Sequence, residues 1–191
     1  MEGLAVRPVS TADWPAIEKL FGEKGACGGC WCMWWRMPRH GKAWEAAKGE
    51  PNRAALRRII ESGGQHAMMA FAAGEPVGWC SFGPRAEFPH LERMRAARRA
   101  WDAGTWAVLC FYIHPRWRGR GVAEQLLAAA TARAFELGAR EIEAYPVEWK
   151  LGRAPAAFAY TGVPAMFEAA GYDLVACPPA NGRRVYLKRQ G

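Results

Sequence analysis

The chain has 191 residues, 51% of them apolar and ten of them tryptophan, which suits one domain with a sizeable core and excludes a disordered chain. Its formal charge of +8 favours anionic partners, but the basic residues are spread apart except at Arg93 to Arg99, which disfavours nucleic acid. No apolar run could span a bilayer and residues 1 to 20 lack a signal-peptide core, so the expected location is the cytoplasm, with six reduced cysteines.

In chain order, Leu4 to Val9 reads as a short edge strand. Thr11 is the candidate N-cap of a helix carrying Ile17, Leu20 and Phe21 on one face. Residues 25 to 49 read as irregular and rich in Trp, Cys and Gly. Pro51 to Glu61 follows as a helix with Leu56, Ile59 and Ile60 on one side. Gln65 to Ala73 and Pro76 to Phe82 pair as a hairpin, and residues 84 to 104 form a charged, helical insertion. Thr105 to Ile113 is the central strand. Arg120 to Leu137 is a helix with the stripe Val122, Leu126, Ala130, Ala134 and Leu137. Glu141 to Val147 is a strand, Thr161 to Gly171 holds a short helix, and Tyr172 to Cys177 and Arg183 to Lys188 are the last strands, turning at Asn181-Gly182. Helices between strands imply parallel neighbours, and hairpins imply antiparallel ones. The fold class is therefore mixed α/β, with helices on both faces of a mixed sheet.

The most informative stretch is Arg116-Trp117-Arg118-Gly119-Arg120-Gly121, between the central strand with its His114-Pro115 end and the helix after it. A helix N-terminus carries unpaired N–H donors and partial positive charge. Gly119 and Gly121 let the backbone approach a phosphate, and the three arginines suit a diphosphate.

The order Arg-x-x-Gly-x-Gly after a strand resembles the acyl-CoA loop of the GNAT N-acetyltransferase superfamily, and the element order resembles that family over nearly the whole chain, 1 to 191, as a single domain. The resemblance implies a mostly antiparallel sheet with one parallel, splayed pair, and transfer of an acetyl group from acetyl-CoA to a primary amine by direct attack. It implies that Phe111, Tyr112 and Ile113 pair with pantetheine, and that Arg116, Arg118, Gly119, Arg120, Gly121, Val122 and Ala123 hold the pyrophosphate. Tyr145-Pro146-Val147 resembles the point where the parallel strands part; Pro146 has no N–H to pair.

Met166-Phe167-Glu168-Ala169-Ala170-Gly171-Tyr172 resembles the family's late helix, whose Tyr often reprotonates the CoA thiolate. Here that position is Phe167, which has no proton to give. Phe167 is read as lining the acyl site, with Tyr160 or a bound water as substitute acids and Tyr172 packing in the core. The departure keeps a non-catalytic acyl-CoA-binding module alive as the alternative. Base candidates are Glu87, His90, Glu92, His66 and Glu148, with no choice among them.

Cys30-Trp31-Cys32-Met33-Trp34-Trp35-Arg36 resembles a signature of a bacterial subgroup of the same family. It implies that Trp34, Trp35 and Arg36 contact the acceptor; the competing reading is that the rings plug space beside the sheet. Cys27, Cys30, Cys32 and His40 are zinc-ligand types, but no second cysteine pair follows, and the setting of a redox Cys-x-x-Cys is missing. No metal is expected. Arg93, Arg95, Arg98 and Arg99 read as a solvated helical face. A homodimer is compatible with the sequence, and the acceptor is not written in it.

Overall fold

The computed structural model describes residues 3–37, 41–147, 159–176 and 183–191. Its seven strands are β1 (Leu4–Pro8), β2 (Ala67–Ala72), β3 (Glu75–Pro84), β4 (Thr105–Ile113), β5 (Glu141–Ala144), β6 (Asp173–Ala176) and β7 (Val185–Arg189). They form one sheet in the order β1-β2-β3-β4-β5-β7-β6. Only the β4–β5 pair is parallel. The helices are α1 (Trp14–Phe21), α2 (Lys42–Ala47), α3 (Glu50–Glu61), α4 (Val122–Glu136) and α5 (Pro164–Ala169). Among the described residues no helix is long and apolar enough to cross a membrane.

Strand alternation separates two packed faces. On one, Val122, Leu126 and Ala130 of α4 pack with Ala70, Cys80 and Val108. On the other, Ile17 and Leu20 of α1 and Leu56 and Ile60 of α3 pack with Met69 and Trp79. Helices thus cover both faces, as the alternation of elements implies.

Several boundaries differ from the sequence reading, each for a local reason. Thr11 does not cap α1. Ser10 donates from its backbone N–H and hydroxyl to the Asp13 carboxylate at 2.7 and 2.8 Å, and Asp13 is the N-cap residue of α1. The short helix α2 lies within the stretch read as irregular. Helix α4 begins at Val122 because Gly121 is left-handed, and Leu137, expected on its apolar stripe, is 41% exposed just past its end. Strand β5 stops at Ala144, three residues short of the expected end. Thr161 and Gly162 precede α5 rather than opening it. Cys177 and the Asn181-Gly182 turn lie outside the described residues.

The insertion over 84–104 is helical in the form of three successive 3₁₀ turns. Phe88, Leu91, Met94 and Ala97 each donate a backbone N–H to the carbonyl three residues earlier. A 3₁₀ helix has three residues per turn. Arg85, Phe88, Leu91 and Ala97 are buried, and Met94 packs against them, all at that spacing. Arg93, Arg95 and Arg98 are exposed, but Arg99 is not part of a solvated face. Its guanidinium reaches Glu141 at 2.8 Å and Glu143 at 2.5 Å.

These contacts belong to a buried charge cluster that fastens the insertion to β5. Ile142 and Ala144 face the α4 side, so Glu141, Glu143 and Tyr145 face the insertion. Arg85 donates to Glu143 at 2.6 Å, to the Tyr145 hydroxyl at 2.9 Å and to the Ala97 carbonyl at 2.8 Å. The Tyr145 hydroxyl donates to Glu143 in turn. Burial and the neighbouring Glu143 carboxylate push the Tyr145 phenol far above its ordinary range, so it keeps its proton as a donor. Glu143 is wholly buried between Arg85 and Arg99. Breaking such a cluster from one side leaves uncompensated charge behind, so Glu143→Ala is expected to cost about 3–5 kcal/mol, read as a lowered midpoint in urea unfolding.

Candidate active site

The site begins where β4 and β5 part. Their parallel register runs from Thr105↔Glu141 to Val108↔Ala144 and ends there. Strand β4 continues to Ile113, paired with β3 as far as Gly78↔Ile113. Among the described residues, its far half therefore has a strand neighbour on one side only. A bulge falls at the same point: Phe82 faces Val108 and Ser81 faces Cys110, so Leu109 is an extra residue in β4. A bulge leaves one residue outside the ladder and reverses which side chains face each way. Ala107 and Leu109 thus share one face with Cys110, while Phe111 turns to the α4 side.

A cleft of about 1060 Å³ opens at this divergence. Its walls come from both faces of the sheet. Phe111, Ile113, Val122, Ala123 and Met166 line it from the α4 side, and Cys32, Trp34, Trp44, Trp79 and Tyr112 line it from the other. The cleft thus passes through the sheet, and two molecules could meet in it from opposite faces.

One end is the glycine loop. Gly119 and Gly121 have φ of 68° and 70°, which a side chain would strain. Gly121 is the N-cap of α4, whose first N–H groups have no partner within the helix. Arg118, Gly119, Gly121, Val122 and Ala123 line the cleft, and Arg118 Nε is anchored to the Ile113 carbonyl at 3.1 Å. Arg116 and Arg120 do not line it; both are exposed, and Arg120 lies over the Trp117 ring.

The other end is the Cys–Trp segment, and here the sequence expectations divide. Trp34 lines the cleft, edge-on to Trp44 at 4.9 Å between ring centres. Trp35 does not: it is 2% exposed and packs with Phe88 and Leu91. Arg36 is committed to Glu87 at 2.8 Å and lies over the Phe88 ring, so it is a structural anchor. Phe167 also does not line the cleft. It is fully buried and packs with Phe111, Tyr172 and Tyr186, behind the cleft wall that Met166 forms. Tyr172 is in the core as expected, its hydroxyl 2.7 Å from that of Thr131.

None of the four described base candidates lines the cleft. His66 and Glu87 lie 3.3 Å apart, with Arg36 on the other side of Glu87. Burial works to raise the Glu87 pKa, but the neighbouring His66 and the hydrogen bond from Arg36 prevail and lower it, leaving a poor base. His90 is enclosed by Trp34 and Trp35, and Glu92 pairs with Arg85. Glu148 lies outside the described residues, as does His40. Among the described residues no group of three or more His, Cys, Asp or Glu could hold a metal ion.

Two features escaped the sequence reading. Arg183 donates to the Tyr145 carbonyl at 3.1 Å, to the Tyr160 hydroxyl at 2.9 Å and to Thr161, which fixes Tyr160 at the cleft wall. Burial raises the Tyr160 pKa, so it holds its proton. The second is Gly78 on β3. A Cβ there would lie 2.9 Å from both Val122 and Leu126, so its absence lets α4 and the loop before it sit close on the sheet. Gly78→Ala is expected to cost about 1–3 kcal/mol in denaturant unfolding, through displacement of α4.

The acetyltransferase (GNAT) family matches residues 32–154, more than half of the chain. A search of curated proteins finds no match. Among solved structures, the chain resembles a GCN5-related N-acetyltransferase from Kribbella flavida (TM-score 0.59, 19% identity, 99% of each chain covered). It also resembles the PaiA N-acetyltransferase of Thermoplasma acidophilum, solved with coenzyme A (TM-score 0.56, 15% identity, 98% of this chain and 99% of that one). A third is a phosphinothricin acetyltransferase from Sinorhizobium meliloti in complex with acetyl-CoA (TM-score 0.58, 19% identity, 98% and 89%). At these identities the likeness to solved structures shows the fold.

Proposed function

The chain belongs to the acetyltransferase (GNAT) family and is an acetyl-CoA-dependent N-acetyltransferase; on that premise we propose how its own residues carry the reaction. The observation that carries the reading is the cleft through the sheet, with a glycine loop at one end and a Cys–Trp wall at the other. Phe111, Tyr112 and Ile113 form the stretch of β4 that runs beside the pantetheine arm, on the side that β5 has left. Gly119, Gly121, Val122 and Ala123 receive the pyrophosphate with Arg118 beside them. A backbone N–H at the Leu109 bulge, outside the ladder, is the donor for the thioester oxygen as charge develops on it.

The amine approaches from the opposite face and attacks the thioester carbonyl directly. Trp34 and Trp44 supply an aromatic wall for the apolar body or cationic end of the acceptor. Phe167 has no proton to give, and Tyr160, a protonated phenol on the cleft wall, is our candidate to reprotonate the CoA sulfur. We assign the chain to the bacterial subgroup with the early Cys-Trp-Cys-Met segment, on Cys30 to Arg36. The same reading treats 1–191 as one domain working in the cytoplasm.

The loop assignment is tested by Gly119→Glu and Gly121→Glu. Each is expected to weaken acetyl-CoA binding by more than about 100-fold in calorimetric titration, with cooperative unfolding retained. Unchanged affinity would remove the loop from the site. Release of free CoA on a panel of primary amines separates an enzyme from a binding module: tight binding without turnover on any amine would favour the module.

A further inference from the structure

The segment before Trp34 is held in a costly conformation. Trp31 and Cys32 have φ of 46° and 56°, a region side chains rarely occupy. Such residues persist where their surroundings over-determine them, and they collect at functional sites. What this strain places is the Cys32 sulfur. It accepts the indole N–H of Trp79 at 3.2 Å. Cys110 and Ser81 also lie beside it, and the Arg36 charge acts on it. Both Cys32 and Cys110 line the cleft, and Cys110 follows the bulge where β4 loses its β5 neighbour.

The titratable and charged groups facing Cys32 are Arg36 and Cys30 on its own segment, Cys80 on β3 and Cys110 on β4. Burial pushes the Cys30 thiol up to about 11 and Cys80 well above the usual range. Hydrogen bonding to Cys32, then burial, does the same to Cys110. Burial pushes Cys32 upward too, but the donors around it and Arg36 outweigh burial and hold its thiol below the usual range. Of these sulfurs, Cys32 is the one arranged to give up its proton. The geometry beside this shift is an indole N–H aimed at a sulfur on the cleft wall.

We propose that the Cys32 thiolate is the base that takes a proton from the acceptor amine at the mouth of the β4–β5 gap. This rests on the acetyltransfer reading above. The ammonium R–NH₃⁺ gives one proton to Cys32 Sγ, leaving R–NH₂. Its lone pair forms the C–N bond with the thioester carbonyl carbon, the C–S bond breaks, and the electron pair leaves on the CoA sulfur. The proton shed by the new amide nitrogen matches the one that this sulfur gains. Cys32 returns its own proton to water, so the sum is ammonium plus acetyl-CoA giving amide, CoA thiol and one H⁺.

The test is the pH profile of kcat/KM for the full chain, wild type against Cys32→Ser and Cys32→Ala, with 2-phenylethylamine or the best acceptor from an amine panel. Acetyl-CoA affinity is measured on each. Both variants are expected to keep that affinity within about twofold, to lose about 100-fold or more in kcat/KM, and to lose the acidic limb of the profile. Retention of rate and limb overturns the proposal. So does a loss of affinity as large as the loss of kcat/KM, which would make Cys32 structural. An acetyl adduct on Cys32 in acid-quenched mass spectrometry also overturns it, in favour of a nucleophile. If the variants do not fold, iodoacetamide alkylation of the wild type, mapped by peptide, reads the thiol itself. A midpoint below that of a free thiol and matching the acidic limb is expected, and a midpoint at or above the free thiol's overturns the assignment. Failure of the wild type to bind acetyl-CoA, or to release CoA with any amine, overturns the acetyltransfer reading and this inference with it.

Discussion

Everything at the centre of this molecule depends on two parallel strands that pair for four residues and then part. The β4–β5 register ends at Val108↔Ala144, and β4 runs on for five more residues. Backbone groups inside a protein must find partners, and an unpaired strand edge is a standing offer to any extended chain. A bulge at Leu109 turns the side chains over at the same place. One divergence thus opens the sheet, exposes a strand edge and presents different side chains on its two faces. The glycine loop and the Cys–Trp wall matter because they flank that gap.

The gap must be held open from outside. The insertion does this from one side, by packing Phe88, Leu91 and Ala97 over Ala107, Leu109 and Tyr145. Charge adds direction to that packing, since Glu143 lies between Arg85 and Arg99 and admits few other placements of the insertion. Arg183 performs a related task beyond the end of β5, tying the Tyr145 carbonyl to Tyr160 and Thr161. On the other face, α4 sits close over Gly78 and carries the loop with it. Rigid supports of this kind hold reacting groups in place before the substrates arrive.

Much of the framework was legible in the sequence because it is encoded locally. A hairpin signal marked β2 and β3, a continuous apolar run marked β4, and Arg-x-x-Gly-x-Gly after a strand marked the start of α4. The rest depends on contacts distant in sequence. The insertion's three-residue spacing, Arg85, Phe88, Leu91 and Ala97, is present in the sequence but carries meaning only once those side chains face a sheet. Nothing local to Glu141 and Glu143 says that Arg85 and Arg99 will cover them. Trp34 and Trp35 are neighbours in sequence, yet one lines the cleft and the other the core, a division set by a 3₁₀ turn. Phe167 followed a family position and lies one layer deeper than expected, behind Met166. Cys32 drew notice as a member of a cysteine run; its importance comes from Trp79, Cys110 and Ser81, which lie far away in the chain.

The central claim is that acetyl-CoA completes the unpaired edge of β4 and is held at the start of α4. Amide hydrogen exchange with and without acetyl-CoA measures this directly. New protection is expected in two places, the β4 amides over residues 109–113 and the loop and helix amides over 119–123. Binding without protection at β4, or protection confined to other strands, would contradict it.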